Sequence, residues 1–132
     1  MTGKSDIISN GMSTYVIHNG HPWQARVTGV RPYMHKNQCD NLTTNMLKTG
    51  CSLGSVLAAA LSVTPRIGFA HSIDMKLSAV ISGMLLYNIA AEWAAKIAQG
   101  PASWKVAFLD CLARIVETGF LPGEARIEKS VG

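Results

Sequence analysis

Cysteine is the first shortage in this chain. There are three, Cys39, Cys51 and Cys111, an odd number with no CxxC spacing, which excludes a disulfide framework and a structural zinc site and points to a reducing compartment. Charge is scarce as well: 15% of residues are charged against 48% apolar, so overall disorder is excluded and a packed core is implied. The net charge of +4 comes from single Lys and Arg residues without a basic stripe or interleaved aromatics, so no nucleic-acid partner is expected. The histidines, His18, His21, His35 and His71, are no better as ligands. Only His18 and His21 lie close, in a turn-like "HNGH" with no helix to align them, and no metal site is expected. The opening residues lack the basic, apolar and small-residue succession of a secretory signal, so the expected location is cytoplasmic.

Uncharged runs of membrane-spanning length are also missing. Cys51 to Pro65 and Leu77 to Ala91 are uncharged over 15 residues each, which as helix spans about 22 Å against a hydrocarbon core of about 30 Å. Two buried helices of a water-soluble core are the reading, with a membrane hairpin as the alternative.

What is present divides in two. From Asp6 to Thr28 short β-rich pieces, "DIIS", "TYVIH" and "WQARV", are separated by Asn10-Gly11 and Asn19-Gly20, both strong hairpin signals, and predict three strands in a meander. From Thr49 onward the pattern is helical: "CSLGSVLAAALSV", "DMKLSAVISGMLLYNIAAEWAAKIAQG" and "ASWKVAFLDCLARIVETG". In the last, Trp104, Phe108, Cys111, Leu112 and Ile115 recur at three- and four-residue steps, with Lys105, Asp110 and Arg114 on the other face. Gly100-Pro101 and Gly119 punctuate its ends. Strands at 5–28 followed by three helices give an α/β or α+β class. Two of these helices are apolar nearly all round and would lack cover, so the chain is expected to be the C-terminal half of a larger α/β domain.

The stretch that bears chemistry is "TGCSLGSVLAAA", residues 49–60. Thr, Gly, Cys and Ser stand immediately before an apolar helix, where free N–H groups and the helix dipole favour an anion such as phosphate, and where a cysteine thiolate is stabilised. A small-residue cap on a core helix is the alternative.

The order of short motifs resembles the C-terminal half of the hydroxyethylthiazole kinase family, ribokinase-like enzymes of the thiamine pathway. "TGKSDIISNG" is similar to its Thr-Gly-x-x-Asp strand and turn, "NGHPWQARVTG" to its next hairpin, and "GPASWKVAFLDCL" to the opening of its last helix. Its signature, Val-Thr-Gly-Thr/Ser-Gly-Cys, is present in two pieces: "VTG" at 27–29 and "TGCSLG" at 49–54. Removing the 19 residues Val30 to Lys48 rejoins them as "VTGTGCSLG". The removed piece is in frame, begins with a valine codon (GT…), ends with lysine (AAG is available), and Leu42-Thr43 can be encoded as CTA-AC. Residues 30–48 therefore read as a retained intron within a partial kinase domain spanning 1–132, with a natural surface loop as the alternative.

The resemblance implies a ribokinase-like three-layer fold and ATP-dependent phosphorylation of a thiazole alcohol, 4-methyl-5-(2-hydroxyethyl)thiazole, with Mg²⁺ bridging the phosphates. It implies an anion hole from Thr28, Gly29, Thr49 and Gly50, with Gly29 also on the substrate. It assigns Cys51, standing where other ribokinase-like enzymes keep an aspartate base, to the alcohol proton, and Thr2 to the nucleotide phosphates. It also implies a homotrimer with sites between subunits. The family's other half, which supplies the thiazole pocket, has no counterpart in these motifs, so the competing expectation is a non-catalytic portion acting by association.

Overall fold

The computed structural model of the chain describes residues 5–26, 49–64 and 69–130. Thr2, Thr28, Gly29, Cys39 and the whole of 30–48 lie outside the described residues.

Strand β1 (Asp6–Ser9) alternates inward Asp6 and Ile8 with outward Ile7 and Ser9, as a strand with one covered face must. It pairs antiparallel with β2 (Thr14–Ile17), Asp6 opposite Ile17 and Ser9 opposite Thr14. Asn10 makes the turn between them. Its Oδ1 accepts from the amides of Met12 and Ser13 at 3.0 and 2.8 Å, and Gly11 takes the left-handed φ of 88° that favours glycine. The first of the two hairpin signals thus forms a hairpin.

The second does not, and the expected third strand of the meander is corrected. "WQARV" opens as a short helix, α1 (Trp23–Arg26). The reason lies in "HPWQ": the His21 ring Nδ1 accepts from the Trp23 amide at 3.3 Å, Gln24 Oε1 accepts from the His21 amide at 2.7 Å, and Pro22 pre-sets the first turn. This is a reciprocal cap of the Ser-x-x-Glu kind built with other side chains. The third strand comes instead from the far end of the chain. β3 (Ile127–Ser130) pairs antiparallel with β2, Ile17 opposite Ile127, giving the sheet order β1-β2-β3.

The three long helices follow the predicted segments: α2 (Thr49–Ser62), α3 (Phe69–Ile97) and α4 (Pro101–Thr118). α4 begins after Gly100, with Pro101 in its first turn and Ser103 Oγ accepting from the Gly100 amide at 3.1 Å. It ends on Gly119 at φ 66°. It buries Trp104, Phe108, Cys111 and Ile115, four of the five residues expected on that face, with Leu112 half-buried.

α3 is the axis of the molecule. One side packs on α4 through Tyr87, Ala90, Ala91 and Ala94 against Trp104 and Phe108. Small alanines let the Trp104 ring come close enough for its Nε1–H to donate to Ala91 O at 3.0 Å. Nearer its start, Leu77 and Met84 meet Ile8 and Ile17 of the sheet. α2 lies across α3 at Gly83, where an added methyl would sit 3.2 Å from Leu57 Cδ2 and 3.3 Å from Ala60 Cβ.

By length and composition α3 could cross a membrane, since residues Ile73–Ile97 reach a mean hydropathy of 1.2. It is longer than the uncharged run within it because it begins at Phe69, before Asp74 and Lys76, and continues through Glu92 and Lys96. The far side of α2 keeps Leu61 exposed, and α4 leaves Val106 and Val116 exposed.

Candidate functional site

The N-terminal end of α2 is the candidate site. Thr49, Gly50 and Cys51 form the first turn of this helix, so backbone N–H groups of that turn have no partner within the helix and point out of its positive end. No acidic residue stands in the turn. Of the signature residues named from the sequence, these three are described, and Thr2, Thr28 and Gly29 are not.

The next residue anchors the turn. Ser52 Oγ lies 2.6 Å from the Tyr87 hydroxyl, at the middle of α3. Tyr87 is 2% exposed, and its ring meets Phe108 edge-on at 4.8 Å. Burial raises its phenol above the usual tyrosine range, and the Ser52 hydrogen bond opposes this in part. The hydroxyl therefore keeps its proton at neutral pH.

Beside Tyr87, Asn88 begins a buried polar chain. Its Nδ2 donates to Asp6 Oδ2 at 2.7 Å, its Oδ1 accepts from Gln24 Nε2 at 3.0 Å, and Gln24 Oε1 accepts the His21 amide. Strand β1, helix α1 and helix α3 are thereby tied at one point. One turn further on, Glu92 takes the Gly20 amide at 2.7 Å and the Asn19 amide group at 3.4 Å, and pairs with Arg126. Asn19 Oδ1 accepts the Arg126 amide at 2.7 Å, and Asn19 Nδ2 donates to Glu124 O at 3.0 Å. This second cluster fastens the segment that leads into β3.

Sequence reading missed Ser52, Tyr87, Asn88, Gln24 and Asp6 as a connected group. Tyr87 and Asn88 gave one available signal, being the polar pair inside the apolar run Leu77–Ala91.

An apolar groove of about 630 Å³ lies elsewhere, between α2 and α4 over Gly83, lined by Val56, Ala60, Leu86, Leu112 and Val116. Its lining carries no Lys, Arg or His to meet a phosphate. Among the described residues no three His, Cys, Asp or Glu side chains converge as metal ligands.

Comparison with solved structures places this architecture. The chain superposes on a hydroxyethylthiazole kinase protein from Pyrococcus horikoshii OT3 with a TM-score of 0.67 and 25% identity, over 99% of this chain and 40% of that one. The fold is that of the ribokinase-like α/β enzymes.

The sequence carries the assignment one step further. The chain belongs to the hydroxyethylthiazole kinase family, whose profile it matches over residues 1–118. It is 37% identical over 112 residues to the hydroxyethylthiazole kinase of Desulfatibacillum aliphaticivorans, covering 85% of this chain and 31% of that protein. It is 33% identical over 124 residues to a probable thiamine biosynthetic bifunctional enzyme of Schizosaccharomyces pombe, covering 88% of this chain and 19% of that protein. The chain thus spans about a third, or less, of the length of these curated relatives.

Proposed function

We propose that this chain supplies the phosphoryl-binding end of a hydroxyethylthiazole kinase, an enzyme that moves the γ-phosphoryl group of ATP to the primary alcohol of 4-methyl-5-(2-hydroxyethyl)thiazole. The observation that carries the reading is that Thr49-Gly50-Cys51 is the first turn of α2, a helix end with no acidic residue in it, in a chain that matches the family over residues 1–118. Such an end fits a nucleotide phosphate.

In this reading the amides of Thr28, Gly29, Thr49, Gly50 and Cys51 receive the negative charge that spreads over the transferring phosphoryl group. Fixed amides cost no reorganisation at that moment, which is why they favour the transition state over free ATP. Gly29 also borders the thiazole, and Thr2 reaches the nucleotide phosphates. Cys51 receives or orients the alcohol proton, and a thiolate at a helix N-terminus is favoured for that role. When bound, Mg²⁺ would neutralise charge between the phosphates. Among the described residues no three His, Cys, Asp or Glu side chains converge to hold it.

Residues 30–48 have no part in this chemistry and read as a retained intron. The exposed apolar positions Leu61, Val106 and Val116 favour a second reading, in which the chain is a non-catalytic portion that works by association.

The test is a hybrid enzyme. Residues 1–29 joined to 49–132 replace the matching part of the Pyrococcus horikoshii protein, and ATP-dependent formation of the thiazole phosphate is measured. The expected result is turnover that falls about 10²-fold or more with Cys51→Ser, in the range usual for a lost general base. A Cys51→Ser hybrid as fast as its parent would remove Cys51 from the mechanism.

A further inference from the structure

Helix α2 carries no charged residue along its 14 positions. Its inner side is accounted for. Leu53 and Leu57 pack on the cluster that holds Ile8 and Ile17, and Val56 packs on the one that holds Tyr87 and Phe108. Its outer side, with Gly54, Ala58, Ala59, Leu61 and Ser62, is exposed. A helix side that faces water ordinarily carries charge. α4 shows the difference: it too exposes apolar side chains, Val106 and Val116, but it sets Asp110, Arg114 and Glu117 among them.

Gly54 is an independent sign that this side is made for cover. A glycine inside a helix weakens it relative to alanine, and is explained where another surface comes close. At Gly83 that surface is visible, because an added Cβ would meet Leu57 Cδ2 at 3.2 Å and Ala60 Cβ at 3.3 Å. At Gly54 nothing among the described residues lies within 4 Å of the same point. The helix bears the weakness, and the chain itself does not fill the space.

What is short in the described residues is sheet. Helices of an α/β domain lie on a sheet that they cover. The strands β1, β2 and β3 have 4 residues each and so run about 13 Å, whereas α2 and α3 run about 21 and 43 Å. The Pyrococcus horikoshii protein is matched over 40% of its length, so more than half of it has no counterpart in this chain. A second copy of the chain would bring the same excess of helix and the same short strands. A bilayer is a poor fit as well, since its core of about 30 Å is longer than α2.

We propose that the outer side of α2, with the apolar groove that it borders at Ala59, is a docking surface for the strand-bearing remainder of a hydroxyethylthiazole kinase domain, the part that this chain does not match. The inference rests on the family match and not on the phosphoryl-binding reading, so either can fail alone.

The experiment compares the full 132-residue chain with a hybrid in which the same residues replace the matching part of the Pyrococcus horikoshii protein. Gly54→Leu is read first, by urea unfolding. In the chain alone its midpoint should equal or exceed that of the parent, because leucine is the better helix former and meets nothing. In the hybrid its midpoint should fall below that of the hybrid parent, because the leucine displaces the docked surface. Equal midpoints in the hybrid would overturn the proposal.

The second readout is alkylation of an introduced thiol, followed at that residue by mass spectrometry. Ala58→Cys should react at least about tenfold more slowly in the hybrid than in the chain alone, as protection by a packed surface requires. Met12→Cys, in the β1–β2 turn and 78% exposed, should react alike in both. An Ala58→Cys thiol as reactive in the hybrid as Met12→Cys would overturn the proposal. So would protection in the chain alone that grows with its concentration, which is the mark of a second copy, or protection by phosphatidylcholine vesicles, which is the mark of a membrane. Should the chain alone unfold without a clear transition, the two hybrid readouts decide. None of them uses phosphoryl transfer, so an inactive hybrid still tests the docking surface.

Discussion

At the scale of single residues, the polar groups of the interior divide by what they hold. Trp104 is fully buried, stacked on Phe108 at 5.0 Å, and spends its one donor on Ala91 O, so it serves the core. Tyr87 touches the same core with its ring and the candidate site with its hydroxyl. Its raised pKa, caused first by burial, has a consequence for stability. The folded state keeps the phenolic proton at a pH where the unfolded chain, with an ordinary tyrosine near pH 10, gives it up. The contribution is complete below that pH and is lost as pH rises from about 10 through the folded value. Urea unfolding of the full chain should therefore show stability falling above about pH 10 more steeply than in Tyr87→Phe, by up to about 1.4 kcal/mol per pH unit. Parallel curves would mean that the folded phenol titrates normally. Cys111 also has a raised thiol pKa, by burial first and Asp110 second, with Arg114 opposing. It sits 3% exposed in the α4 face of the core, which suits a packing residue.

At the scale of elements, legibility followed the range of the forces involved. α4 could be read nearly whole, because its caps, Gly100-Pro101 and Gly119, and its apolar spacing are local signals. The Asn10-Gly11 turn was equally local. The third strand was misplaced because its true source, Ile127–Ser130, is exposed at all of its positions and carries no alternating pattern. It is recruited by backbone pairing with β2 and by the Asn19–Glu92–Arg126 cluster, long-range contacts that no window of sequence displays. "HPWQ" carries a local cap signal, but the Asn19-Gly20 turn before it and the β-rich pieces around it point to a strand. Two glycines make the packing of α2 testable. Gly83 faces Leu57 and Ala60 at contact distance, whereas Gly54 has open space where its side chain would be. Gly54→Ala should stabilise the chain by about 0.8 kcal/mol through helix propensity. Gly83→Val should destabilise it by about 1–3 kcal/mol by forcing α2 off α3. Chemical denaturation of the two variants checks both signs, and a Gly83→Val chain of parental stability would show that the two helices are not in close contact there.

At the scale of the whole molecule, the residues that announce the family and the residues that organise the candidate site are different sets. The signature was visible as words, "VTG" and "TGCSLG", because a phosphoryl-binding turn needs small residues in a fixed order. Its supports, Ser52, Tyr87, Asn88, Gln24 and Asp6, meet only through the fold. We propose that the 19 residues from Val30 to Lys48 interrupt one signature, whose two pieces stand on either side of them. The central claim is that the rejoined turn is the working one, and one assay addresses it. Thiazole phosphate formation from ATP is measured in two hybrids with the Pyrococcus horikoshii protein, matched except that one keeps residues 30–48 and the other joins Gly29 to Thr49. The account predicts turnover in the joined hybrid and at least about a tenfold lower kcat in the interrupted one, since donors displaced by even an ångström lose much of their effect. A joined hybrid that makes no product, beside an interrupted hybrid that does, would contradict it.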